Sequence, residues 1–435
     1  MTQQSQAFID SLLKASGVEG IPKEASWLKE HQSVARSRAL AKELPKVSDE
    51  KWRFTDISPL YRTSLSCPDP EGVVDQSLLK AFYIPEATQT VVLINGVYAS
   101  ELSAGSTDSG VKVLNLERAL KDPKLSELVR DKISDKDNED FGIFYDINNA
   151  LFADILIVEV SPNADRSDVI HILNVSSGKR SFNHPRVLVV AREGSRGTII
   201  EDYIGMGGNG YMVNSVFQCS IERGAELAHI KLQRDDVTAY HLSQTTAEIQ
   251  RDARYKNWSI SVGALASRHD VNVIQMEVGG TSSLRGLAIG NGKRLVDTHS
   301  VVEHRHPNGQ SSQLHKTIAN DQSNIVFNGK IKVHKGAQQT NASQQNRNLI
   351  LSRRASVDTK PELEIFADDV KCAHGATVGE MSDEELFYLK TRGLDETSAR
   401  NLLNYAFARE VIEDNPISSI TSIVESYIRQ GSIAE

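Results

Sequence analysis

The first 150 residues carry apolar positions mostly at helical spacing. The segments QAFIDSLLK and SVARSRALAKEL place apolar residues every three or four positions, and LNLERALKDPKLSELVRDKI returns to that pattern further along. Between them, TVVLINGVY is an apolar run with the Asn95-Gly96 dipeptide, which is typical of tight turns. The pattern predicts a mostly helical N-terminal domain over residues 1–150, interrupted by a strand.

The pattern changes over residues 151–380, where short Val- and Ile-rich segments alternate with Gly, Asn, Asp and Ser. The pieces EGSRGTIIE and RGAELAHI share a turn followed by a strand and lie about 30 residues apart, as successive rungs of a solenoid do. Long amphipathic helices, which connect the strands of a doubly wound sheet, are scarce. This texture predicts a mainly β core that is either a parallel β-helix or a large β-sandwich.

The end of the chain returns to helical patterns. A capping box, S-x-x-E, begins at Ser382, and Gly393 stands where the first helix would end. Two apolar stripes at helical spacing follow, one from Ala399 to Phe407 and one from Ile420 to Ile428. We therefore predict a helical C-terminal domain over residues 381–435, whose stripes either pack internally or present a docking face to a partner.

Composition narrows the classes of function. The 49 basic and 57 acidic residues give a formal net charge of -8, without the basic excess of a protein that binds nucleic-acid phosphates. The three cysteines, Cys67, Cys219 and Cys372, have no C-x-x-C spacing, so they encode neither a disulfide framework nor a self-contained metal site. The start of the chain lacks a signal-peptide pattern, and no apolar run approaches the roughly 18 residues of a membrane span. We expect a soluble, cytoplasmic protein that binds neither nucleic acid nor membrane.

Two glycine-rich segments resemble nucleotide-binding motifs but lack their context. GMGGNG, from Gly205 to Gly210, fits G-x-G-x-x-G, which binds a dinucleotide only where its last glycine opens a helix. Both flanking segments, TIIEDYI and YMVNSVFQCSI, predict strands, so we expect a loop between strands. GNGKRL fails as a phosphate-binding loop because Leu287 replaces the first required glycine and Arg294 replaces the Ser or Thr. The sequence therefore predicts no nucleotide site and no tightly bound cofactor.

Histidines concentrate in the segment DTHSVVEHRHPNGQSSQLHK, at His299, His304, His306 and His315. In an extended strand His304 and His306 would face the same side, a geometry suited to two imidazole ligands. Asp297 and Glu303 could supply carboxylates to such a site. A metalloenzyme that acts alone and a polysaccharide-active hydrolase or lyase are therefore alternative functions. The simplest interpretation is that these histidines lie on the solvent-exposed face of a sheet.

A second candidate is the pair Cys372 and His374 in VKCAHG. A strand would place both on the face shared with Val370. A thiolate and a neutral imidazole are good ligands for iron or zinc, and a cysteine beside a histidine also suits a nucleophile. Alternatively, Cys372 points into a core, because it shares a strand face with the apolar Val370, whereas the charged Lys371 lies on the opposite face. Because a cluster takes about four ligands, any metal here would be shared with another chain.

Long ordered strings of the sequence resemble one known family. They are WRFTDISPL, HPR at His184–Arg186, SSQLHKTIANDQSNIVFNGKIKV, AQQTNASQQNRNLILS and KPELEIFADDVKCAHGATVGEMSDEELFYLKTRGL. They are similar to the SufB/SufD family of iron–sulfur cluster assembly scaffolds. The SufD branch is favoured, because no string like the CGAHTFP of SufB proteins occurs. Ala373 and His315 differ from the residues that are commoner at these positions in SufD proteins. Neither is a proposed ligand.

The resemblance implies a right-handed parallel β-helix core over residues 151–380, between helical N- and C-terminal domains. It also implies a non-catalytic scaffold that pairs with a SufB-like chain and docks a SufC-like ABC ATPase. The nucleotide site would then belong to the partner, in agreement with the missing phosphate-binding loop. In isolation the chain could instead form a homodimer.

The resemblance further implies where a cluster would form. The histidine of the family string KCxHG lies near the SufB interface, where a transient iron–sulfur cluster is shared between the two chains. Here that residue is His374, with Cys372 as a weaker companion. The expected residues of the SufC docking surface are Leu386, Tyr388, Leu402 and Phe407. ATP-driven dimerisation of SufC would shift the β-helix interface and expose His374 to iron and sulfur.

Overall fold

Helices occupy both ends of the chain and strands occupy its middle. The computed structural model describes residues 3–14, 25–67, 74–105, 110–134, 141–164, 168–206 and 210–431 of the 435-residue chain. The helices in these ranges are α1 Gln3–Leu13, α2 Trp27–Ala41, α3 Gln76–Leu79, α4 Leu116–Leu120, α5 Pro123–Ile133, α6 Gly142–Leu151, α7 Asp383–Thr391, α8 Glu396–Ile412 and α9 Ser418–Gly431. None of these helices is long and apolar enough to cross a membrane.

The strands begin early in the chain and end just before the C-terminal helices. They are β1 Gln89–Ile94, β2 Val97–Tyr98, β3 Ala104–Gly105, β4 Val111–Leu114, β5 Leu156–Val160, β6 Val169–Ser177, β7 Phe182–Asn183, β8 Arg186–Ala191, β9 Arg196–Met206, β10 Met212–Ile221, β11 Glu226–Gln233, β12 Tyr240–Ile249, β13 Arg254–Ser261, β14 Ala266–Gln275, β15 Thr281–Gly290, β16 Leu295–His304, β17 Gln310–Ala319, β18 Asn324–Val333, β19 Thr340–Ile350, β20 Ser356–Ile365 and β21 Val370–Glu380.

The strands form two long sheets that together make a parallel β-solenoid. One sheet has the order β2-β1-β6-β9-β11-β13-β15-β17-β19-β21, and the other β20-β18-β16-β14-β12-β10-β8-β5-β4. From β8 onward, consecutive long strands alternate between the sheets, so each pair of strands makes one turn of the solenoid. Arg196 pairs with Glu226 and Glu226 with Arg254, which confirms the predicted rungs about 30 residues apart. The predicted β-helix core between helical ends is also confirmed.

The corners of the solenoid require left-handed backbone. Gly194 and Gly224 occupy equivalent corners of consecutive turns with φ of 67° and 64°, and Asn308 has φ of 60° at a later turn. Glycine adopts this conformation without a steric penalty, and Asn tolerates it better than most residues. At Gly194 a Cβ atom would also lie 2.5 Å from Asn163 Oδ1. The Gly- and Asn-rich texture of the middle of the chain reflects these corners.

The inward faces of the two sheets bury an apolar core. It includes Ile172, Val189, Phe217, Ile249 and Val273, all of which are almost completely inaccessible to solvent. Burial of such side chains contributes about 25 cal/mol per Å² of apolar surface and is the main force that closes the solenoid.

A charged cluster lies within the same interior, between β9 and β11. Lys231 Nζ is 3.9 Å from Glu201 Oε1, and His229 Nε2 is 3.1 Å from Glu201 Oε2. Burial by itself would raise the pKa of Glu201, but Lys231 and His229 outweigh it and lower that pKa to about 2. The same burial lowers the pKa of Lys231 and of His229. The interior of the solenoid therefore contains a paired charge rather than an isolated one.

The first end of the solenoid is covered by other parts of the chain. In one sheet β2 and β3 pair antiparallel with β1, and in the other β4 pairs antiparallel with β5. Next to this end, helices α4 and α5 pack on the outer face of the second sheet, through Leu116, Val129 and Ile133 against Ile157 and Leu188. Strands from the first 150 residues thus extend both sheets, and the domain boundaries at residues 150 and 380 stay a prediction.

The C-terminal helices α8 and α9 lie along the outer face of the first sheet. Val411, Ile420 and Val424 pack there on a surface that includes Trp258 and Leu287. The contact also includes ion pairs, one between Lys316 and Glu410 and one between Arg285 Nη2 and Asp414 Oδ2 at 2.8 Å. These contacts anchor the helical end of the chain to the side of the solenoid.

Candidate functional site at the open end of the solenoid

The second end of the solenoid is open. Strands β20 and β21 are the last members of the two sheets, and no described strand pairs with the outer edge of either. All ten residues of β10, in the middle, are buried, whereas in β21 only Val370 and Cys372 are half-buried and the other nine are exposed. Edge strands of this kind present unpaired backbone groups that can pair with another chain.

The predicted strand with Cys372 and His374 on one face is confirmed. Both residues lie on β21 with the inward parity, Cys372 beside Ala342 and His374 beside Gln344 of β19. His374 is exposed and makes no hydrogen bond to another described residue. Its imidazole therefore lies at the mouth of the interior, open to a ligand from outside.

Cys372 has a different environment from His374. Its side chain packs against an apolar cluster that includes Ile331, Val333 and Ala342. Burial raises the pKa of the Cys372 thiol, which disfavours the thiolate that binds metals. The structure thus places Cys372 at the edge of a small core.

The described residues contain no group of three or more His, Cys, Asp or Glu side chains arranged to hold a metal ion. Cys372 and His374 together make at most two of the about four ligands that an iron–sulfur cluster takes. Their role as ligands stays a prediction, and further ligands would have to come from elsewhere.

The histidine-rich segment does not assemble into one site. The prediction that His304 and His306 share a face is wrong, because β16 ends at His304 and the chain bends at His306, just before the turn at residues 307–308. His304 points inward and bonds Gln275 Oε1 at 2.8 Å, while His315 is buried on the opposite sheet. Burial lowers the pKa of His304 to about 4 and that of His315 to about 3, so both are neutral structural side chains. His299 faces outward.

The outer face of the second sheet forms a polar groove of about 530 Å³ beside the segment around Trp52. His299 lies in it, with Nε2 3.0 Å from Asp297 Oδ1. Asp297 is fully buried and paired with Arg268 at 2.8 Å, so this carboxylate is committed to the fold. The carboxylates considered for polysaccharide chemistry therefore do not meet in this groove as a free pair.

The structure also locates the glycine-rich segment GMGGNG. It begins in the last residues of β9 and ends before β10, which confirms the predicted strand on each side. Gly205 belongs to β9 and Gly210 lies two residues before the start of β10, while residues 207–209 lie outside the described residues. No described helix begins at this position, so the context of a dinucleotide-binding motif is missing.

Helix α7 begins and ends as predicted. The backbone N–H of Glu385 donates to Ser382 Oγ at 3.2 Å, and Gly393 has the left-handed φ of 93° that ends a helix. Because α7 follows β21 after only two residues, the strand that carries His374 leads directly into the C-terminal helices.

The predicted docking residues divide into exposed and packed ones. Tyr388 is 56% exposed and Leu402 45%, whereas Leu386 is buried and Phe407 packs on the solenoid under Lys316 Nζ, 4.5 Å from the ring centroid. The stripe from Ala399 to Phe407 therefore agrees only in part with the buried face of α8. The buried residues of that helix are Ala399, Asn404, Ala408, Val411 and Ile412. The second stripe, on α9, does pack against the solenoid.

One exposed apolar residue was not predicted. Phe387 is 69% exposed, the largest value among the large apolar side chains of the described residues. It lies next to Tyr388 on α7, which has no clear apolar stripe, so periodicity gives no signal for it. Phe387, Tyr388 and Leu402 form an exposed apolar set, which we call the α7–α8 surface.

Fold and site together define a parallel β-solenoid with one capped end, one open end and an exposed apolar helical surface. Residues 173–407 match the family described as "SUF system FeS cluster assembly, SufBD core domain". The chain therefore belongs to the SufBD family of SUF iron–sulfur cluster assembly proteins.

Similar proteins span nearly the same length. An iron–sulfur cluster assembly SufBD family protein of Synechocystis sp. is 34% identical over 391 residues, 87% of this chain and 85% of that protein. Protein ABCI7, chloroplastic, of Arabidopsis thaliana is 31% identical over 88% of this chain and 82% of its own length. Iron-sulfur cluster assembly protein SufD of Escherichia coli is 28% identical over 85% of each chain.

Proposed function

We propose that this chain is a non-catalytic SufD-type scaffold, which pairs through its open end with a SufB-like chain so that an iron–sulfur cluster is assembled between them. The observation that carries the proposal is the exposed β21 edge with His374 at the mouth of the solenoid interior. The similarity to a protein named SufD supports this branch of the family. Iron and sulfide are the cargo of such a site, and the partner would supply the remaining ligands.

The α7–α8 surface is the proposed docking site for a SufC-like ATPase. Exposed aromatic side chains are enriched in protein interfaces, and Phe387 and Tyr388 are adjacent here. The anchor of α8 and α9 on the first sheet gives such a partner a rigid attachment to the solenoid. An isolated chain would pair its open end with a second copy.

The proposed mechanism uses the direct connection from β21 to α7. An ATP-bound SufC dimer that binds two such docking surfaces would favour one arrangement of the paired solenoids over another. Because β21 leads straight into α7, a pull on the α7–α8 surface would reach the strand that carries His374. The energy would come from differential binding of the ATPase to the two arrangements.

The experiment that tests the site compares His374→Ala with His306→Ala, which removes an exposed histidine from a turn. Each variant is co-purified anaerobically with SufB-like and SufC-like partners, and iron and acid-labile sulfide are measured with and without ATP. We expect His374→Ala to form the complex but to lose cluster assembly, and His306→Ala to behave as wild type. Normal cluster maturation by His374→Ala, in cells that depend on this pathway, would contradict the role of His374.

The docking surface has its own test. The double change of Phe387 and Tyr388 to Ala should abolish capture of the SufC-like ATPase while the SufB-like partner is still captured. Leu78→Ala, at another residue that is 56% exposed, is the matched control. Undiminished ATPase binding by the double variant would refute this assignment.

The cytoplasmic location of the chain stays a prediction, since one relative is chloroplastic by name.

A further inference from the structure

Gln344 is the inward side chain of β19 that lies in register with His374. It is only 1% exposed, yet neither its amide nitrogen nor its amide oxygen has a hydrogen-bond partner. A buried amide without partners is destabilising, and native proteins rarely leave both of its atoms unsatisfied. Gln344 therefore carries a cost in the isolated chain that the fold does not explain.

The neighbouring inward amides of β19 are all satisfied. Asn348 Nδ2 donates to Asn346 Oδ1 at 2.6 Å, and Thr359 Oγ1 donates to the same oxygen at 2.8 Å. Asn346 Nδ2 in turn donates to the backbone oxygen of His315 at 3.2 Å. Single amide atoms elsewhere in the interior also lack a partner, such as Nε2 of Gln313, the in-register neighbour on β17. Among the Asn and Gln side chains that the structure describes, Gln344 alone is buried with both amide atoms unpaired, one rung before the open end.

The opposite sheet leaves room for the Gln344 amide. Gly329 of β18 faces it, and a Cβ atom at Gly329 would collide with Gln344 Nε2. Gly329 therefore leaves space for the Gln344 amide at this rung. A larger residue at position 329, together with an apolar residue at position 344, would fill the same space without an unpaired polar group.

We propose that Gln344 is a positioning residue for His374: its amide oxygen accepts the imidazole N–H once a partner covers the open end. In-register neighbours in a sheet are about 4.8 Å apart, which is within reach of these two side chains. An imidazole that donates one N–H presents the lone pair of its other nitrogen, the form that ligates a metal. This inference rests on the proposed function of His374.

The first test uses Gln344→Leu, which replaces the unpaired amide by an apolar side chain of similar size. We expect the purified variant to melt at or above the wild-type temperature, since an unsatisfied group is removed. With SufB-like and SufC-like partners, however, iron and sulfide assembled per complex should fall at least tenfold. Gln345→Leu, the outward-facing neighbour on the same strand, is the matched control and should assemble clusters normally.

A second readout separates positioning from packing. In complexes with ¹⁵N-histidine, the ring resonance that disappears in His374→Ala identifies His374. We expect Gln344→Leu to shift this resonance and Gln345→Leu to leave it in place. Gln344→Glu keeps an acceptor oxygen and should recover more cluster assembly than Gln344→Leu, while Gly329→Ala should lower assembly by displacing the Gln344 amide.

The outcomes distinguish this inference from the proposed function. If His374→Ala assembles clusters normally, the proposed role of His374 fails, and this inference fails with it. If His374→Ala fails but Gln344→Leu assembles clusters as wild type, only the positioning role of Gln344 is overturned. The positioning role is also overturned if cluster assembly by Gln344→Leu falls only in proportion to the amount of folded complex and the His374 resonance does not shift.

Discussion

The two ends of the solenoid are built from the same kind of rung but finished differently. At the first end, short antiparallel strands pair with β1 and β5, and helices α4 and α5 cover the sheet. At the second end, β20 and β21 have unpaired outer edges, and β21 is almost wholly exposed. Solenoids generally need caps at both termini, because each repeat buries its surface only against its neighbours.

The difference shows at which end the chain itself supplies the neighbours that the last rung of the solenoid needs. Charges in the interior of the middle, such as Glu201 and Lys231, are buried and paired with each other. At the open end His374 and Gln344 lack partners within the described chain. Single buried atoms without a partner also occur in the middle, for example Gln244 Nε2 and His269 Nδ1. The open end differs in combining the unpaired amide of Gln344 with two unpaired strand edges, and this is where we propose that a partner binds.

The largest expected effect comes from breaking the buried charge pair in the middle. Glu201→Gln leaves Lys231 buried without its counter-charge and should lower the free energy of unfolding by about 3–5 kcal/mol. Glu380→Gln, on the exposed last strand, should change it by less than about 0.5 kcal/mol. Urea unfolding of the two variants measures both values. Equal effects at the two positions would contradict the contrast between middle and end.

A second effect depends on pH and concerns the buried His315. Burial lowers its pKa to about 3, whereas an unfolded histidine titrates near about 6.5. The unfolded state therefore takes up the proton first, and the stabilising contribution is complete above about pH 6.5 and is lost as the pH falls. From pH 6.5 to pH 5 this histidine should cost about 2 kcal/mol of stability.

His315→Leu should remove that part of the pH dependence, measured as the difference in unfolding free energy between pH 6.5 and pH 5. Buried His184 and His304, whose pKa values burial lowers to about 3 and about 4, should keep the remaining slope. His306→Leu, at an exposed turn, is the matched control. An unchanged slope in His315→Leu would show that this imidazole already titrates normally in the folded chain.

Much of the fold could be predicted from the sequence because its repeat is local. The rungs EGSRGTIIE and RGAELAHI announce their corner and strand, and the capping box at Ser382 sets the start of α7. The prediction that His304 and His306 share a face was wrong because it assumed one continuous strand, whereas the strand ends at His304 and the chain bends at His306. Periodicity predicts which faces a strand has but places its end less reliably.

The candidate site was predictable only in part. The pair in VKCAHG could be placed on one strand face, and counting ligands pointed to a second chain. The unpaired amide of Gln344 could not be found, since it depends on the register of β19 with β21 and on Gly329 across the interior. Similarly, exposure of Phe387 depends on how α7 leaves the solenoid, which no local pattern encodes.

A third effect tests the open end as a binding surface. Val378, inward-facing on β21, is 51% exposed, so Val378→Asp should leave the stability of the isolated chain nearly unchanged. Binding of a SufB-like partner should weaken at least about tenfold, or about 1.4 kcal/mol, because a carboxylate would be buried in the interface. Val237→Asp, at a turn residue that is 55% exposed, is the control. Equal affinities of the two variants, measured by calorimetry, would exclude this end as the interface.

The smallest effect is expected at Cys372, which lies at the open end but packs like a residue of the middle. Because its thiol is half-buried beside Val333 and Ala342, Cys372→Ala should lower the free energy of unfolding by about 1 kcal/mol or less. Cluster assembly by this variant should stay close to wild type. Its raised pKa also predicts slower alkylation by iodoacetamide than at the exposed Cys67. Loss of cluster assembly in a folded Cys372→Ala complex would instead make Cys372 a ligand. In that case the binding of iron and sulfide must first free a thiol that the isolated chain keeps in its core.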